Sequence, residues 1–132
     1  MVSGEGMQNQ LGKLENAFGR LMAALTHEQD EFVRDSVIKR FEFTFELLWK
    51  SIKRLAEAEG LECQSPKTCF KVAFQLDLIQ EESVFLDMLE FRNLTSHTYD
   101  EDNAVLVHAF IADHGVTALA SVIERLRLRM ST

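Results

Sequence analysis

Phe41-Glu42-Phe43-Thr44-Phe45-Glu46-Leu47-Leu48-Trp49-Lys50-Ser51-Ile52 is the stretch on which the fold turns. Its first five residues alternate apolar and polar, as a half-buried strand would. The flanks disagree with that reading. Val33 and Val37 before it, and Leu48, Ile52 and Leu55 within and after it, keep helical phase with Phe41 and Phe45. At about 100° per residue, Phe41, Phe45, Leu48 and Ile52 fall within about 60° of one another. The stretch is therefore helical, and Phe43 and Leu47 lie on a second apolar side. Only Glu42, Glu46, Lys50 and Lys53 form a polar wedge. A helix apolar on two sides is either the covered centre of a bundle or also a contact face. A homodimer that buries Phe43 and Leu47 is the expectation, since two-fold pairing places one patch on both copies.

Spacing of three and four continues outward from this helix in both directions. The pattern predicts a first helix from about Gln8 to Leu25, with the stripe Leu11, Leu14, Phe18, Leu21 and Leu25. Residues 1–8 read as a flexible tail. The second helix should run from Asp30 to Glu59 and stop at Gly60, a C-cap residue type. Ser65-Pro66 is an N-cap followed by proline at the first helical position, so a third helix starts there. A fourth should cover Glu81 to Leu94 and a last one Asp102 to Met130, with Gly115 as its weak point. The fold class expected is all-α: one antiparallel up-and-down bundle of about five helices occupying all 132 residues as one domain.

Charge and composition narrow the function. The formal net charge is -7, which argues against a non-specific binder of duplex DNA. A local basic cleft remains compatible with that total, because fields are screened over short distances. Ten Phe stand against one Tyr and one Trp, and most of that apolar area reads as core. Cys63 and Cys69 lack zinc-knuckle spacing and read as two reduced, half-buried thiols in a cytoplasmic protein. No signal pattern opens the chain, and no run approaches the roughly 18 apolar residues of a membrane span. Neither a metal site nor a cofactor motif is apparent.

One segment carries chemistry: Glu90-Phe91-Arg92-Asn93-Leu94-Thr95-Ser96-His97-Thr98-Tyr99-Asp100. On a straight helix Arg92 and His97 would point about 140° apart. Asn-Leu-Thr-Ser-His-Thr is poor in strong helix formers, so the helix should end inside it and fold His97 and Tyr99 back towards Arg92. Arginine for charge, histidine for proton transfer and tyrosine for orientation or as an acceptor hydroxyl suit chemistry centred on phosphate. Asn93 would orient the phosphate or cap the turn. The same residues also fit a polar helix–helix turn, with Arg92 bound to Glu90 or Asp100.

At this segment the chain resembles the HEPN superfamily, whose motif is Arg, four residues, His, one residue, Tyr: here Arg92, His97 and Tyr99. It is most similar to the branch of nucleotidyltransferase substrate-binding proteins. The likeness takes in Arg34-Asp35-Ser36 and the aromatic stretch from Phe41 to Lys50, and runs from about Leu11 to Leu126. The resemblance implies a homodimeric bundle and a minimal nucleotidyltransferase as cognate partner. It further implies a toxin-like, metal-independent endoribonuclease with Arg92 and His97 as catalytic residues. The transferase would act as antitoxin by adenylylating Tyr99. A non-catalytic substrate-binding subunit is the alternative.

Overall fold

The computed structural model describes residues 4–130. Its elements are α1 (Gly4–Thr26), α2 (Glu31–Ala58), α3 (Pro66–Gln75), α4 (Glu82–Leu94) and a long last helix, α5 (Glu101–Met130), with no strand among the described residues. A single 3₁₀ turn, Thr95–His97, separates α4 from α5. Inside α5 the residues Ile111–Gly115 take π-helical hydrogen bonding, so the weak point expected at Gly115 is where the helix widens.

The expected stripe of α2 is the centre of the core. Phe41, Phe45, Leu48 and Ile52 are each fully buried. Phe45 meets Phe70 of α3 edge-on at 5.8 Å between ring centroids, and Phe70 meets Phe85 of α4 at 5.4 Å. This aromatic relay ties three helices together. Leu11, Leu14 and Leu21 of α1 close one side, and Val107, Ile111, Leu119 and Leu126 of α5 close another.

Local signals set the helix boundaries. The Asp30 carboxylate accepts from the Val33 N–H at 2.8 Å and starts α2. Gly60, at φ 78°, ends it: the Leu61 N–H reaches the Ala56 carbonyl at 2.8 Å and the Gly60 N–H the Glu57 carbonyl at 3.1 Å. That pair of bonds is a Schellman motif, which needs a left-handed residue at its corner. Ser65 and Thr68 form a capping box ahead of α3.

Three sequence expectations change. α1 starts at Gly4 rather than Gln8, and Gln8 Nε2 donates to the Met130 carbonyl at 3.0 Å, docking this end of α1 on the end of α5. Residues 1–3 of the expected tail lie outside the described residues. Cys63 and Cys69 are not reduced, half-buried thiols: they are fully buried and joined in a disulfide, with Cα atoms 5.0 Å apart. The Ser65-Pro66 turn folds the chain back so that Cys63 packs on the first turn of α3. Finally, α5 contains an 18-residue window of mean hydropathy 1.5, long and apolar enough to cross a membrane by length and composition. Asp113 and His114 interrupt the run of apolar residues without lowering the mean below that level. In the fold one stripe of this helix packs the bundle core.

Gly60→Ala should lower stability by about 1 kcal/mol, because a Cβ is strained at positive φ. Gly12→Ala, inside α1 with nothing within 4 Å of the added Cβ, should raise it by about 0.8 kcal/mol. Urea denaturation of both variants checks this. Equal effects of the same sign would mean that the α2 terminus is not held by this turn.

Candidate functional site at the turn between the fourth and fifth helices

Three hydroxyls break the helix here. Thr95 Oγ1 donates to the Arg92 carbonyl at 2.6 Å, Ser96 Oγ to the Asn93 carbonyl at 2.9 Å, and Thr98 Oγ1 to the Thr95 carbonyl at 3.1 Å. Each satisfies a carbonyl that a continuing helix would have used, which is how Ser and Thr compete with helical hydrogen bonding. Asp100 then caps α5 by accepting from the Asp102 N–H at 2.9 Å. Asn103 Nδ2 donates to the His97 carbonyl at 3.1 Å and pins the turn.

The turn brings His97 and Tyr99 to each other rather than to Arg92. The Tyr99 hydroxyl lies 3.4 Å from His97 Nδ1, and the rings meet edge-on at 5.9 Å. Tyr99 is 87% exposed. Asn93 is exposed, and its backbone carbonyl serves the turn. Arg92 is oriented differently from either sequence expectation. Its partner is neither Glu90 nor Asp100 but Glu46, whose Oε1 accepts from Arg92 Nη2 at 2.9 Å. No hydrogen bond joins Arg92 to His97 or Tyr99 among the described residues.

Glu46 is the residue that local reading of the segment missed. Besides Arg92 it takes the Trp49 indole N–H at 3.2 Å and lies 3.8 Å from Lys50 Nζ. The Arg92 guanidinium carbon stands 6.0 Å from the Phe45 ring centroid, and its Nε is buried without a partner among the described residues. Thus the buried stripe and the polar wedge of α2 together fix this arginine. The signal available in the sequence was the wedge itself, which continues upward through Glu42, Lys39 and Asp35. Those three, with Thr95, Thr98 and Tyr99, line a cavity of about 390 Å³.

The turn is anchored to the start of α2 as well. Arg34 Nη2 holds Glu101 at 2.7 Å. Two turns further along α5, His108 Nε2 lies 2.9 Å from Gln29 Oε1. Burial, and then the Arg34 charge, push the His108 pKa below that of an ordinary imidazole. Its neutral form therefore favours the folded state above the unfolded pKa, and that contribution is lost as pH falls below it. No cluster of metal-ligating side chains occurs among the described residues.

Residues 9–128 match the family described as nucleotidyltransferase substrate binding protein like. The chain belongs to this family, a branch of the HEPN proteins. A Haemophilus influenzae protein described as a probable ribonuclease, HepT, is 31% identical over 110 residues, which is 76% of this chain and 75% of that one. A solved H. influenzae structure, described as the fold of a substrate-binding domain of a nucleotidyltransferase, superposes with TM-score 0.80 at 27% identity, covering 89% of this chain and 98% of that one. A chain of a crystal structure described as the toxin–antitoxin MntA–HepT shares the fold at TM-score 0.76 and 17% identity, covering 92% of this chain and 97% of that one.

Glu46→Ala should cost under about 1 kcal/mol, since both partners of the ion pair are roughly one-third exposed. It should also shift the emission of Trp49, the single tryptophan of this family member. Unchanged emission would mean that the Trp49–Glu46 bond is not kept in solution.

Proposed function

We propose that this protein is the HEPN member of a toxin–antitoxin pair: a cytoplasmic, homodimeric, metal-independent endoribonuclease silenced by a cognate minimal nucleotidyltransferase. The observation that carries this reading is the pairing of an exposed tyrosine hydroxyl with an imidazole nitrogen at 3.4 Å, the imidazole five residues after an arginine. The family match supports a transferase as partner, and the relative described as a ribonuclease supports the activity.

The chemistry follows from residue type. The RNA 2′-hydroxyl attacks the adjacent phosphorus, a P–O bond forms, and the bond to the 5′-oxygen breaks. His97 of one subunit accepts the 2′-hydroxyl proton. The second copy's imidazole, protonated, gives a proton to the leaving 5′-oxygen. Arg92 carries the charge that builds on the phosphoryl oxygens, which its planar guanidinium does without losing its own proton. A 2′,3′-cyclic phosphate and a 5′-hydroxyl result. In silencing, the Tyr99 hydroxyl attacks the α-phosphorus of ATP held with magnesium by the transferase. Pyrophosphate leaves, the phenolic proton passes to a base, and the AMP group then covers the His97 nitrogen. An exposed Tyr99 is what such a transfer requires.

The competing reading is a substrate-binding subunit without activity of its own. Neutralisation of Arg92 by Glu46, in a chain of net charge -7, favours it.

His97→Ala should abolish cleavage of mixed single-stranded RNA in EDTA while leaving the circular dichroism and mass unchanged, because the exposed imidazole carries none of the core. Arg92→Lys should lower the rate at least about 100-fold, the charge being kept and the fork lost. Incubation with the transferase, ATP and magnesium should add AMP to wild type and not to Tyr99→Phe, by mass spectrometry. Equal cleavage by wild type and His97→Ala, or labelling of Tyr99→Phe, overturns the assignment. No cleavage by AMP-free wild type decides for the binding subunit.

A further inference from the structure

Phe43 and Leu47 do not face an empty apolar surface. With Arg40 from α2 and Lys13, Asn16 and Arg20 from α1, they line a groove of about 260 Å³ between the two helices. Phe43 is 52% exposed within it. Three cations line this groove and no carboxylate does. That is a marked local excess in a chain with 21 acidic and 14 basic residues. Several arginines elsewhere are held by acids: Arg34 by Glu101, Arg92 by Glu46, and Arg127 by Glu15. Lys13, Arg20 and Arg40 stand in no ion pair among the described residues. Arg40 Nη1 donates to the Arg20 backbone carbonyl at 2.7 Å, which ties the two walls and holds the guanidinium at the groove.

The charge selects the occupant. Self-pairing of this groove would set the three cations of one copy against the same three of another, without a carboxylate between them. A single strand of nucleic acid supplies what the lining lacks: phosphates for Lys13, Arg20 and Arg40, and a flat base for the exposed Phe43 ring. The groove also lies beside the candidate site. Phe43 and Glu46 are neighbours on the outer side of α2, three residues apart, and Glu46 holds Arg92. A strand crossing α2 there passes from the cationic groove to the motif arginine.

We propose that the groove between α1 and α2 is a docking track for single-stranded RNA that leads to Arg92 and His97. The track rests on the ribonuclease reading for its purpose, but binding can be measured without cleavage. The probe is a fluorescein-labelled, 12-nucleotide 2′-O-methyl RNA, which lacks the attacking hydroxyl. Its anisotropy is followed against the wild-type protein at several salt concentrations, with light scattering on the same samples.

Arg20→Gln/Arg40→Gln should weaken binding at least tenfold at low salt. The slope of log affinity against log salt should flatten by about 1.4, the value for two lost phosphate contacts to a single strand. Phe43→Ala should weaken binding with the slope kept, and neither variant should change the mass. Unchanged affinity and slope in the double variant overturn the proposal, as does a wild type that fails to bind the probe at low salt. Loss of dimer mass in Phe43→Ala with unchanged affinity gives the groove to a second copy instead. Salt-dependent binding lost in the double variant, from a wild type that cleaves no RNA, leaves the track standing and removes the ribonuclease reading. Cleavage by wild type with binding indifferent to these residues does the reverse.

Discussion

Burial of one side of α2 constrains everything else in this molecule. Phe41, Phe45, Leu48 and Ile52 reach zero exposure over about three turns, so the helix cannot rotate without exposing aromatic area. Each of these side chains contributes roughly 1.5–3 kcal/mol by leaving water. With that side fixed, the remaining sides acquire fixed directions. Glu42 and Glu46 must face α4, Arg40 and Leu47 must face α1, and Phe43 rides the ridge between them. The polar chemistry on both flanks of α2 is thus positioned by an apolar stripe that approaches the motif at Arg92, through Phe45.

Arg92 illustrates why a motif residue is not by itself a binding site. Its guanidinium already holds one carboxylate, Glu46, and that carboxylate has a lysine and an indole N–H besides. An RNA phosphate carries a single negative charge, the same as the carboxylate it would join or displace. Exchange of one anion for another at a partly exposed arginine yields little free energy. Affinity for a polyanion must then come from cations that no acid occupies, and the groove between α1 and α2 brings three of them together, Lys13, Arg20 and Arg40. A total charge of -7 is compatible with such binding because screening confines each charge's influence to about 8–10 Å.

The fold was readable because its determinants are local and periodic. The stripe of α2, the Ser65-Pro66 start, the Gly60 stop and the break in Asn93–Thr98 are each spelled out within a few residues. What escaped was contact between distant segments. Glu46 reads as half of an i,i+4 pair with Lys50, and only the packing of α4 against α2 makes Arg92 its closer partner. The Cys63–Cys69 disulfide is a local contact that also escaped: the Ser65-Pro66 turn that closes it was read only as the start of a helix. Phe43 and Leu47 were recognised as apolar and outward. Lys13 and Arg20, which change the meaning of that patch, lie on another helix more than twenty residues away. The motif trio divided likewise: His97 and Tyr99, two residues apart, meet each other, whereas Arg92 is drawn to another helix instead of joining them.

That division bears on how a modified tyrosine would act on the proposed reading. Tyr99 stands between two environments. On one side is His97, and on the other a cavity whose lining includes Asp35 and Glu42 with only Lys39 as a cation. Lys39 is already shared, 3.8 Å from Glu42 and 5.7 Å from the Phe43 ring centroid. A phosphodiester attached to the Tyr99 oxygen would meet two carboxylates on the α2 side and the His97 imidazole, a hydrogen-bonding group, on the other. Like-charge repulsion on one side and hydrogen bonding on the other both turn the AMP group towards His97. Silencing by occupation of the imidazole then needs no conformational change in the bundle, because the acidic wall of α2 already closes the other direction.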